Sequence, residues 1–237
     1  IGTQNLIDVA IDEEVEKFIT ISTDKAVNPI NVMGATKLLA ERLTVSAIFY
    51  KGKRKTAFSC VRFGNVLNTR GSVIPLFRKQ VQNGGPLTIT DPNMTRFMMS
   101  IPKAVELVLK AAEIAKGGEI FVLKMPALRL GNLAEAIIQE LAPKYGYEPN
   151  KIKIKFIGRR AGEKLYEELM TEEEAENAYE DEEMFVVLPQ SLGMIDKLSY
   201  ELPENLKNAG KKEYSSKGAK LLTKEEIRSL LTELNSE

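Results

Sequence analysis

The sequence contains no histidine, no tryptophan and a single cysteine, Cys60. Without histidine the chain cannot build a Ser-His-Asp triad, a Cys-His pair or a histidine-ligated metal centre. With one cysteine it cannot form an internal disulfide or a zinc site made of cysteines, and we expect no metal site. Any proton transfer must therefore use lysine, aspartate, glutamate or tyrosine side chains.

The sequence also lacks a charge excess of either sign and a long apolar run. Its 33 Lys and Arg residues balance 33 Asp and Glu residues, whereas a nucleic-acid binder needs a basic excess or stripe. No segment reaches the roughly 18 apolar residues that a membrane span requires, and no signal peptide opens the sequence. We therefore expect a cytoplasmic protein with no nucleic-acid partner and no membrane span in this chain.

Hydrophobic periodicity alternates between strand and helix along the first half of the chain. Apolar runs at residues 18–22 and 56–62 predict buried strands, and a helix that ends near Tyr50 is predicted between them. A further strand is predicted at residues 119–124. This alternation predicts an α/β fold with a parallel sheet through Lys124 and a smaller α+β region after it.

Local signals predict details of the later segments. Asn132 is the predicted N-cap of a helix, and Thr223 and Glu226 form a capping box for a final helix that runs through Leu234. The acidic stretch Thr171–Glu183 is predicted to be a solvated helix and loop rather than a ligand site.

The segment Ser22–Lys37 carries the clearest chemical pattern. It reads Ser-Thr-Asp-Lys-Ala-Val-Asn-Pro-Ile-Asn-Val-Met-Gly-Ala-Thr-Lys. It follows a predicted strand, crosses a loop and enters a helix, and open α/β sheets bind their ligands at that edge. The protonatable groups of Thr23, Asp24 and Lys25 leave the strand together. The pattern alone is equally compatible with a catalytic crevice and with an ordinary helix start whose charges are satisfied.

Further motifs follow that segment in order: Val61-Arg-Phe-Gly-Asn-Val, Arg70-Gly-Ser-Val-Ile-Pro75, Thr90-Asp-Pro-Asn-Met-Thr-Arg-Phe97 and Arg160-Ala-Gly-Glu-Lys164. Together the motifs resemble the extended short-chain dehydrogenase/reductase family. Within it they are most similar to the C5-inverting UDP-N-acetylglucosamine 4,6-dehydratases and their capsular-polysaccharide, CapD-like relatives. The resemblance runs from Ile1 to about Leu188.

The resemblance implies a Rossmann-like parallel sheet of which this chain holds the C-terminal portion. The family's N-terminal strand and Gly-rich cofactor loop have no match here, so about 100 or more residues are expected upstream. Residues 1–124 would belong to the Rossmann-like catalytic domain and residues 125–190 to a substrate-binding region interleaved with it. Residues 191–237 would form a C-terminal extension with a final helix.

The resemblance also implies a reaction. A hydride leaves C4 of a UDP-N-acetylhexosamine for NADP or NAD, a base removes the C5 proton while the C6 hydroxyl leaves as water, and the hydride returns to C6. By resemblance Lys25 is the base, Asp24 is the acid and Thr23 holds the C4 oxygen. Retaining 4,6-dehydratases are similar but carry Thr-Asp-Glu at this point, and 4-epimerases lack the lysine.

Met33 departs from the tyrosine that is common in the family. It lies four residues before Lys37, so both side chains share one face of the predicted helix. A thioether cannot exchange the C4 proton. Lys37, Asp24 or a relayed water would have to do so if the site is active.

The remaining site residues are implied by the resemblance alone. The cofactor would contact Ser22, Thr23, Lys37, Val66, Leu67, Asn68, Thr69 and Arg70, and the UDP-sugar would contact Lys25, Asn65, Arg96 and Arg160. The resemblance implies that Arg96 and Arg160 bind the diphosphate, a role that suits the geometry of a guanidinium group. Taken singly, each of these two arginines is more simply explained as a member of a surface ion pair. Homo-oligomerisation is also implied.

Two other functions stay open at this point. A UDP-sugar 4-epimerase of the same superfamily would oxidise C4 without losing water. A non-catalytic fragment would only bind a nucleotide-sugar or a partner chain. Solvent deuterium at C5 distinguishes dehydration from the other two functions.

Overall fold

The computed structural model describes residues 1–189 and 205–233. Its α-helices are α1 (Gly2–Asp12), α2 (Val32–Tyr50), α3 (Val73–Gln82), α4 (Ile101–Ile114), α5 (Leu130–Leu141), α6 (Glu172–Ala175) and α7 (Lys224–Glu233). Its strands are β1 (Lys17–Thr23), β2 (Ala57–Phe63), β3 (Asn65–Val66), β4 (Leu87–Ile89), β5 (Thr95–Met99), β6 (Ile120–Leu123), β7 (Ala127–Arg129), β8 (Ile154–Phe156), β9 (Glu168–Met170), β10 (Ala178–Glu180), β11 (Met184–Val187), β12 (Lys207–Asn208) and β13 (Tyr214–Ser215).

The strand β1, the helix α2 and the strand β2 form a parallel crossover, as the hydrophobic pattern predicts. Helix α2 begins after its N-cap Asn31, whose Oδ1 accepts a hydrogen bond from the amide of Gly34 at 2.8 Å. β1 and β2 pair in parallel, with Ser22 opposite Arg62 and Thr23 opposite Phe63. The carboxyl ends of both strands therefore meet at one edge of the sheet.

In the described residues these strands belong to a six-stranded sheet of order β1-β2-β6-β11-β10-β12. β1, β2 and β6 are parallel, whereas β11, β10 and β12 continue the sheet in antiparallel fashion. The predicted α/β fold with a parallel sheet through Lys124 is confirmed. The antiparallel strands β10 and β11 come from the part of the chain for which a separate α+β pattern was expected.

The chain folds into two units, each assembled from separated stretches. The first comprises Ile1–Phe63, Pro102–Lys124 and Glu168–Ser215, and the second comprises Gly64–Ile101, Met125–Glu167 and Ser216–Glu237. The predicted division into residues 1–124, 125–190 and 191–237 stays a prediction.

The core of the first unit lies between α1, α2 and β2. Ile7, Ala10 and Ile11 of α1 pack against Ala47 and Phe58. On the same strand Cys60 is fully buried, and burial raises the pKa of its thiol. Cys60 therefore serves packing, as its position in a buried strand predicted.

The core of the second unit lies between α3, α5 and α7. Phe77 of α3, Ile137 of α5 and Ile227 of α7 belong to one buried cluster. The predicted capping box opens α7, because the amide of Glu226 donates to Thr223 Oγ1 at 3.1 Å and the amide of Thr223 donates to Glu226 Oε2 at 2.8 Å. The predicted helix end at Leu234 lies outside the described residues.

The prediction that Asn132 caps a helix is wrong. Helix α5 begins two residues earlier, at Leu130, and its N-cap is Arg129 at the end of β7. The amides of Leu130 and Gly131 donate to the carbonyls of Met94 and Pro92 at 2.9 and 3.1 Å. Tertiary hydrogen bonds therefore satisfy the first two amides of the helix, where the N-cap residue makes no side-chain capping hydrogen bond.

Helix α2 spans 19 residues but is not apolar throughout. Its buried positions include Glu41 and Thr44, while Leu39 and Phe49 are exposed. Among the helices within residues 1–189 and 205–233, none has both the length and the apolar character to cross a membrane.

Candidate active site

The loop that follows β1 joins three predicted site residues. Thr23 caps a 3-10 turn, Asp24–Ala26, and its Oγ1 donates to Asp24 Oδ1 at 2.7 Å while accepting from the amide of Lys25 at 3.4 Å. Lys25 Nζ donates to the same carboxylate oxygen at 2.8 Å. One aspartate oxygen thus contacts a hydroxyl and an ammonium group, so the side chains of Thr23, Asp24 and Lys25 are in direct contact.

Two buried polar atoms at this strand end have no hydrogen-bond partner within the described part of the chain. They are Asp24 Oδ2 and Ser22 Oγ, and the residues that carry them are 0% and 4% exposed. Buried polar groups in native proteins are almost always paired, so an unpaired one requires an explanation. A polar ligand or an ordered water at the end of β1 would supply the missing partner.

A side-chain hydrogen bond connects helix α2 to strand β1. Lys37 Nζ donates to the carbonyl of Ile21 at 3.1 Å, one residue before Ser22. Met33, one turn earlier on α2, is about half exposed. Gly34 is buried, and a Cβ atom there would overlap the carbonyl oxygen of Lys25. The first turn of α2 therefore packs directly on the loop that carries the candidate acid and base.

The second unit contains a small cavity of about 170 Å³ lined by residues from separate motifs. The predicted site residues among its lining are Asn65, Val66, Leu67, Asn68 and Arg96. The tertiary fold therefore brings the motif at the end of β2 together with the motif that contains β5. Thr69 and Arg70, which the resemblance also implies, are exposed and are not among the residues that line this cavity.

The two predicted diphosphate ligands differ in their surroundings. Arg96 is 12% exposed, lies 3.8 Å from Glu163, and donates to the carbonyls of Lys164 and Leu165 at 2.9 and 3.4 Å. Arg160 is exposed, and its amide donates to Glu163 Oε2 at 3.1 Å. Arg96 thus fastens the segment that follows Arg160, and the diphosphate role of both arginines stays a prediction.

A buried ion-pair network beside the loop was not predicted. Arg62 on β2 is 1% exposed and makes paired hydrogen bonds to Glu41, at 2.9 and 2.8 Å, and to Glu174, at 2.9 Å each. Burial opposes the charge of Arg62, but the two glutamates raise its pKa above the ordinary value. The partners are 21 and 112 residues distant in sequence, so no local pattern indicates the network.

The prediction of a solvated acidic stretch at Thr171–Glu183 is wrong for Glu174 and Asp181, although Glu172, Glu173 and Glu182 are exposed as predicted. The side chains of Glu174 and Asp181 are only 13% and 10% exposed, because they pair with Arg62 and Lys110. Burial alone would raise the pKa of Glu174, yet the hydrogen bonds and charge of Arg62 lower it. Glu174 and Asp181 are therefore partners of a buried and a half-buried cation.

The parallel strands β1, β2 and β6, with polar residues at the carboxyl end of β1, form a Rossmann-like α/β fold. The chain belongs to the family described as polysaccharide biosynthesis protein, which matches residues 1–189. The family resemblance that the motifs indicated is thereby confirmed.

Several curated proteins are similar to this chain. A Methanocaldococcus jannaschii protein named "uncharacterized membrane protein" is 64% identical over 99% of this chain and 67% of its own length. The capsular polysaccharide biosynthesis protein CapD of Staphylococcus aureus is 51% identical over 73% of this chain and 28% of CapD. The UDP-glucose 4-epimerase of Rickettsia canadensis is 40% identical over 99% of this chain and 67% of that protein.

Solved structures share the fold. Pen from Bacillus thuringiensis superposes with a TM-score of 0.87 at 44% identity, over 99% of this chain and 67% of Pen. DesIV, a dTDP-glucose 4,6-dehydratase of Streptomyces venezuelae solved with NAD and TYD, gives a TM-score of 0.60 at 19% identity, over 69% of this chain and 54% of DesIV. At that lower identity the likeness concerns the fold.

Proposed function

We propose that this chain carries the catalytic centre of a nucleotide-sugar dehydratase, which converts a UDP-N-acetylhexosamine to its 4-keto-6-deoxy derivative with inversion at C5. The family membership supports a role in surface polysaccharide or glycan biosynthesis. The observation that carries the proposal is the contact between Asp24 and Lys25 at the end of β1. An acid and a base side by side are what an elimination across C5 and C6 needs.

A nicotinamide cofactor fits the same strand end. The unpaired, buried Ser22 Oγ offers a hydrogen bond there, and Lys37 reaches that strand from α2. Ser22, Thr23 and Lys37 would hold the cofactor, NADP or alternatively NAD, which is bound in the related fold of DesIV. When bound, the dinucleotide would accept a hydride from C4 of the sugar and return it at C6.

Asp24 can move a proton from the C4 hydroxyl to the C6 hydroxyl. Asp24 is fully buried and cannot contact a substrate directly. Thr23 Oγ1 donates a hydrogen bond to its carboxylate at 2.7 Å and can therefore relay protons between Asp24 and a substrate. Thr23 receives the C4 hydroxyl proton and passes its own to Asp24. The reverse transfer protonates the departing C6 hydroxyl, which leaves as water, and Asp24 returns to the carboxylate. This route gives the C4 proton an acceptor although Met33 has none.

Lys25 removes the C5 proton in this scheme. Lys25 Nζ is hydrogen-bonded to Asp24 Oδ1 at 2.8 Å, and it loses this charged partner when the C4 hydroxyl protonates Asp24. Lys25 then releases its proton to solvent, takes the C5 proton as the C6–O bond breaks, and a solvent-derived proton is delivered to the opposite face of C5. The oxygen of the expelled water comes from C6 and its protons come from the C6 and C4 hydroxyls.

The full-length protein incubated with UDP-N-acetylglucosamine and NADP in D₂O tests the proposal. We expect a product lighter by one water, with deuterium at C5 in inverted configuration, by mass spectrometry and NMR. A C4 epimer without solvent deuterium would contradict dehydration. Absence of turnover together with measurable UDP binding would identify a non-catalytic binding protein instead, provided that NAD in place of NADP also gives none.

A UDP-sugar 4-epimerase is the second candidate. It is favoured by the Rickettsia relatives, named UDP-glucose 4-epimerases, which are 40–41% identical over 235 residues of this chain. Supplying UDP-glucose in the same D₂O assay separates the two. An epimerase would form the C4 epimer without loss of water and would not depend on Lys25 as a C5 base.

We also propose that the protein is a homo-oligomer that associates through α1 and α2. These neighbouring helices expose Leu6, Val9, Leu39 and Phe49, each more than half exposed. Exposed apolar side chains on two neighbouring helices favour a contact with another protein surface. Light scattering is expected to show an oligomer that Leu39→Glu dissociates, whereas a monomeric wild-type protein would contradict the proposal.

A further inference from the structure

The loop that carries Asp24 and Lys25 ends at an unusual backbone position. Asn28 has a φ of +43°, in the left-handed region that non-glycine residues seldom adopt. Asparagine tolerates this conformation better than most residues, but something must still hold it there. Asn28 lies three residues after Lys25, so its conformation sets where the chain leaves the 3-10 turn.

The side chain of Asn28 is held by a distant acidic residue. Its Nδ2 donates to Glu168 Oε2 at 2.7 Å, across 140 residues of sequence. Glu168 begins β9, which pairs with β13 through Glu168 and Met170. The acceptor is therefore attached to a strand, and both residues belong to the first unit.

The strand β9 is in turn held by the buried arginine. Arg62 Nη1 donates to the carbonyl of Leu169, the residue after Glu168, at 2.9 Å. The same guanidinium binds Glu174, which closes the capping box of α6 with Thr171. The segment that contains Glu168 is therefore bound to β2 by the buried guanidinium group of Arg62.

We propose that Asn28 and Glu168 are positioning residues, a clamp that sets the geometry of Asp24 and Lys25 without touching the substrate. The inference rests on the proposed function, because it concerns the acid and base of that reaction. Arg62 stabilises the clamp indirectly, because it donates a hydrogen bond to the carbonyl of Leu169, the residue that follows Glu168. Neither clamp residue belongs to the set that the family resemblance implies.

The clamp differs from an ordinary stabilising contact in what its loss should change. The Asn28–Glu168 hydrogen bond is exposed, so it adds little to global stability. Displacement of a catalytic group by about 1 Å, in contrast, can lower turnover about 100-fold. Loss of the clamp should therefore lower kcat with little effect on melting temperature or on the KM for the UDP-sugar.

The test uses substitutions in the full-length protein. Asn28→Gly keeps the left-handed backbone and removes the hydrogen bond, and Glu168→Ala removes the acceptor. We expect each to lower kcat by about 10- to 100-fold, with KM changed less than about threefold, and the double variant to be no worse than the single ones. Asn28→Asp combined with Glu168→Gln reverses donor and acceptor and should restore most of the activity, whereas Asn28→Asp alone places two carboxylates together.

Glu14→Gly is the matched control, because Glu14 is also exposed with a positive φ of 50° but lies at the end of α1. It should leave kcat unchanged. Amide hydrogen exchange of residues 22–30 gives a readout that needs no substrate: exchange should quicken in Asn28→Gly and Glu168→Ala and stay unchanged in Glu14→Gly.

Failure of the clamp and failure of the proposed function give different results. Unchanged exchange of the loop in both clamp variants, or unchanged kcat in an active protein, would overturn the clamp and leave the dehydratase proposal intact. Faster loop exchange in the variants of a protein that dehydrates no UDP-sugar would support the clamp as a loop-positioning device and reject the dehydratase proposal.

Discussion

Lys25 Nζ lies 2.8 Å from Oδ1 of Asp24, and the lysine side chain is 31% exposed whereas the aspartate side chain is fully buried. The exposed member of the pair can reach a substrate directly. The buried member can do so only through a neighbour, and Thr23 Oγ1 is hydrogen-bonded to the same oxygen. Because the two side chains differ in exposure, Lys25 would exchange a proton with the substrate directly, whereas Asp24 would do so through Thr23.

Replacement of Lys25 should remove the C5 base. Lys25→Ala is expected to lower the rate of solvent deuterium incorporation at C5 by about 10²- to 10⁴-fold, the usual contribution of a general base. Deuterium incorporation from UDP-N-acetylglucosamine in D₂O, followed by NMR, measures it. Lys53→Ala, in the exposed turn after α2, is the control. C5 exchange that persists in Lys25→Ala would assign the base to another residue.

Replacement of Thr23 should isolate the buried aspartate from the substrate. Thr23→Val keeps the shape of the side chain but has no hydroxyl, so kcat should fall by about 100-fold or more. Thr23→Ser keeps the hydroxyl and should retain most of the activity. Steady-state kinetics on both variants measure the difference. Equal activity of the valine and serine variants would exclude the relay through Thr23.

Substitution of Gly34 should displace the catalytic loop. A Cβ at this position would overlap the carbonyl of Lys25, so Gly34→Ala must shift either α2 or the 3-10 turn. We expect loss of turnover and a lower melting temperature. Gly2→Ala is the control, because Gly2 also lies in the first turn of a helix and its Cβ would contact nothing within 4 Å. A fully active Gly34→Ala would show that this packing does not govern the site.

Breaking the buried ion-pair network should be costly for stability. Arg62→Ala leaves Glu41, which is 0% exposed, without its partner, and such losses lower the free energy of unfolding by about 3–5 kcal/mol. Urea denaturation measures the change. Arg54→Ala removes an exposed pair with Asp12 at 3.8 Å and should change the same quantity by only about 0–1 kcal/mol. Similar effects of the two substitutions would contradict the assigned burial.

Acid should destabilise the first unit. Burial alone would raise the pKa of Glu174 and of Asp181, but Arg62 and Lys110 respectively lower them below 4.5 and 3.8, and Lys103 and Lys110 lower the pKa of Glu183. A carboxylate with a depressed folded pKa contributes stability above its unfolded pKa, and that stability is lost as the pH falls.

The melting temperature should therefore hold above about pH 5 and fall as the pH drops below about 4.5. Calorimetry between pH 3 and pH 7 tests this. The double variant Asp181→Asn/Glu183→Gln should have a lower melting temperature than the wild-type protein at neutral pH. Its melting temperature should also fall less on acidification. Glu182→Gln, at the exposed position between them, is the control. A wild-type melting temperature that is constant down to pH 3 would contradict the prediction.

Much of the local structure could be predicted from the sequence. The strands β1 and β2, the start of α2 after Asn31 and the capping box at Thr223 depend on residues close together in the chain. The prediction that a helix starts after Asn132 failed because the carbonyls of Met94 and Pro92 accept hydrogen bonds from the first two amides of α5. The prediction that Thr171–Glu183 is solvated failed at Glu174 for a similar reason, because its partner Arg62 lies 112 residues away in sequence.

The sequence by itself determined the residue types available for chemistry, the strand–loop–helix order around Ser22–Lys37 and the family. Only the tertiary structure decided that Asp24 is buried while Lys25 is partly exposed, that Asn65 and Arg96 line one cavity, and that Glu168 accepts a hydrogen bond from Asn28. The physical reason is that propensity and periodicity act over a few residues. Burial and ion pairing depend instead on which distant segments pack together, and a single sequence carries no local signal for that.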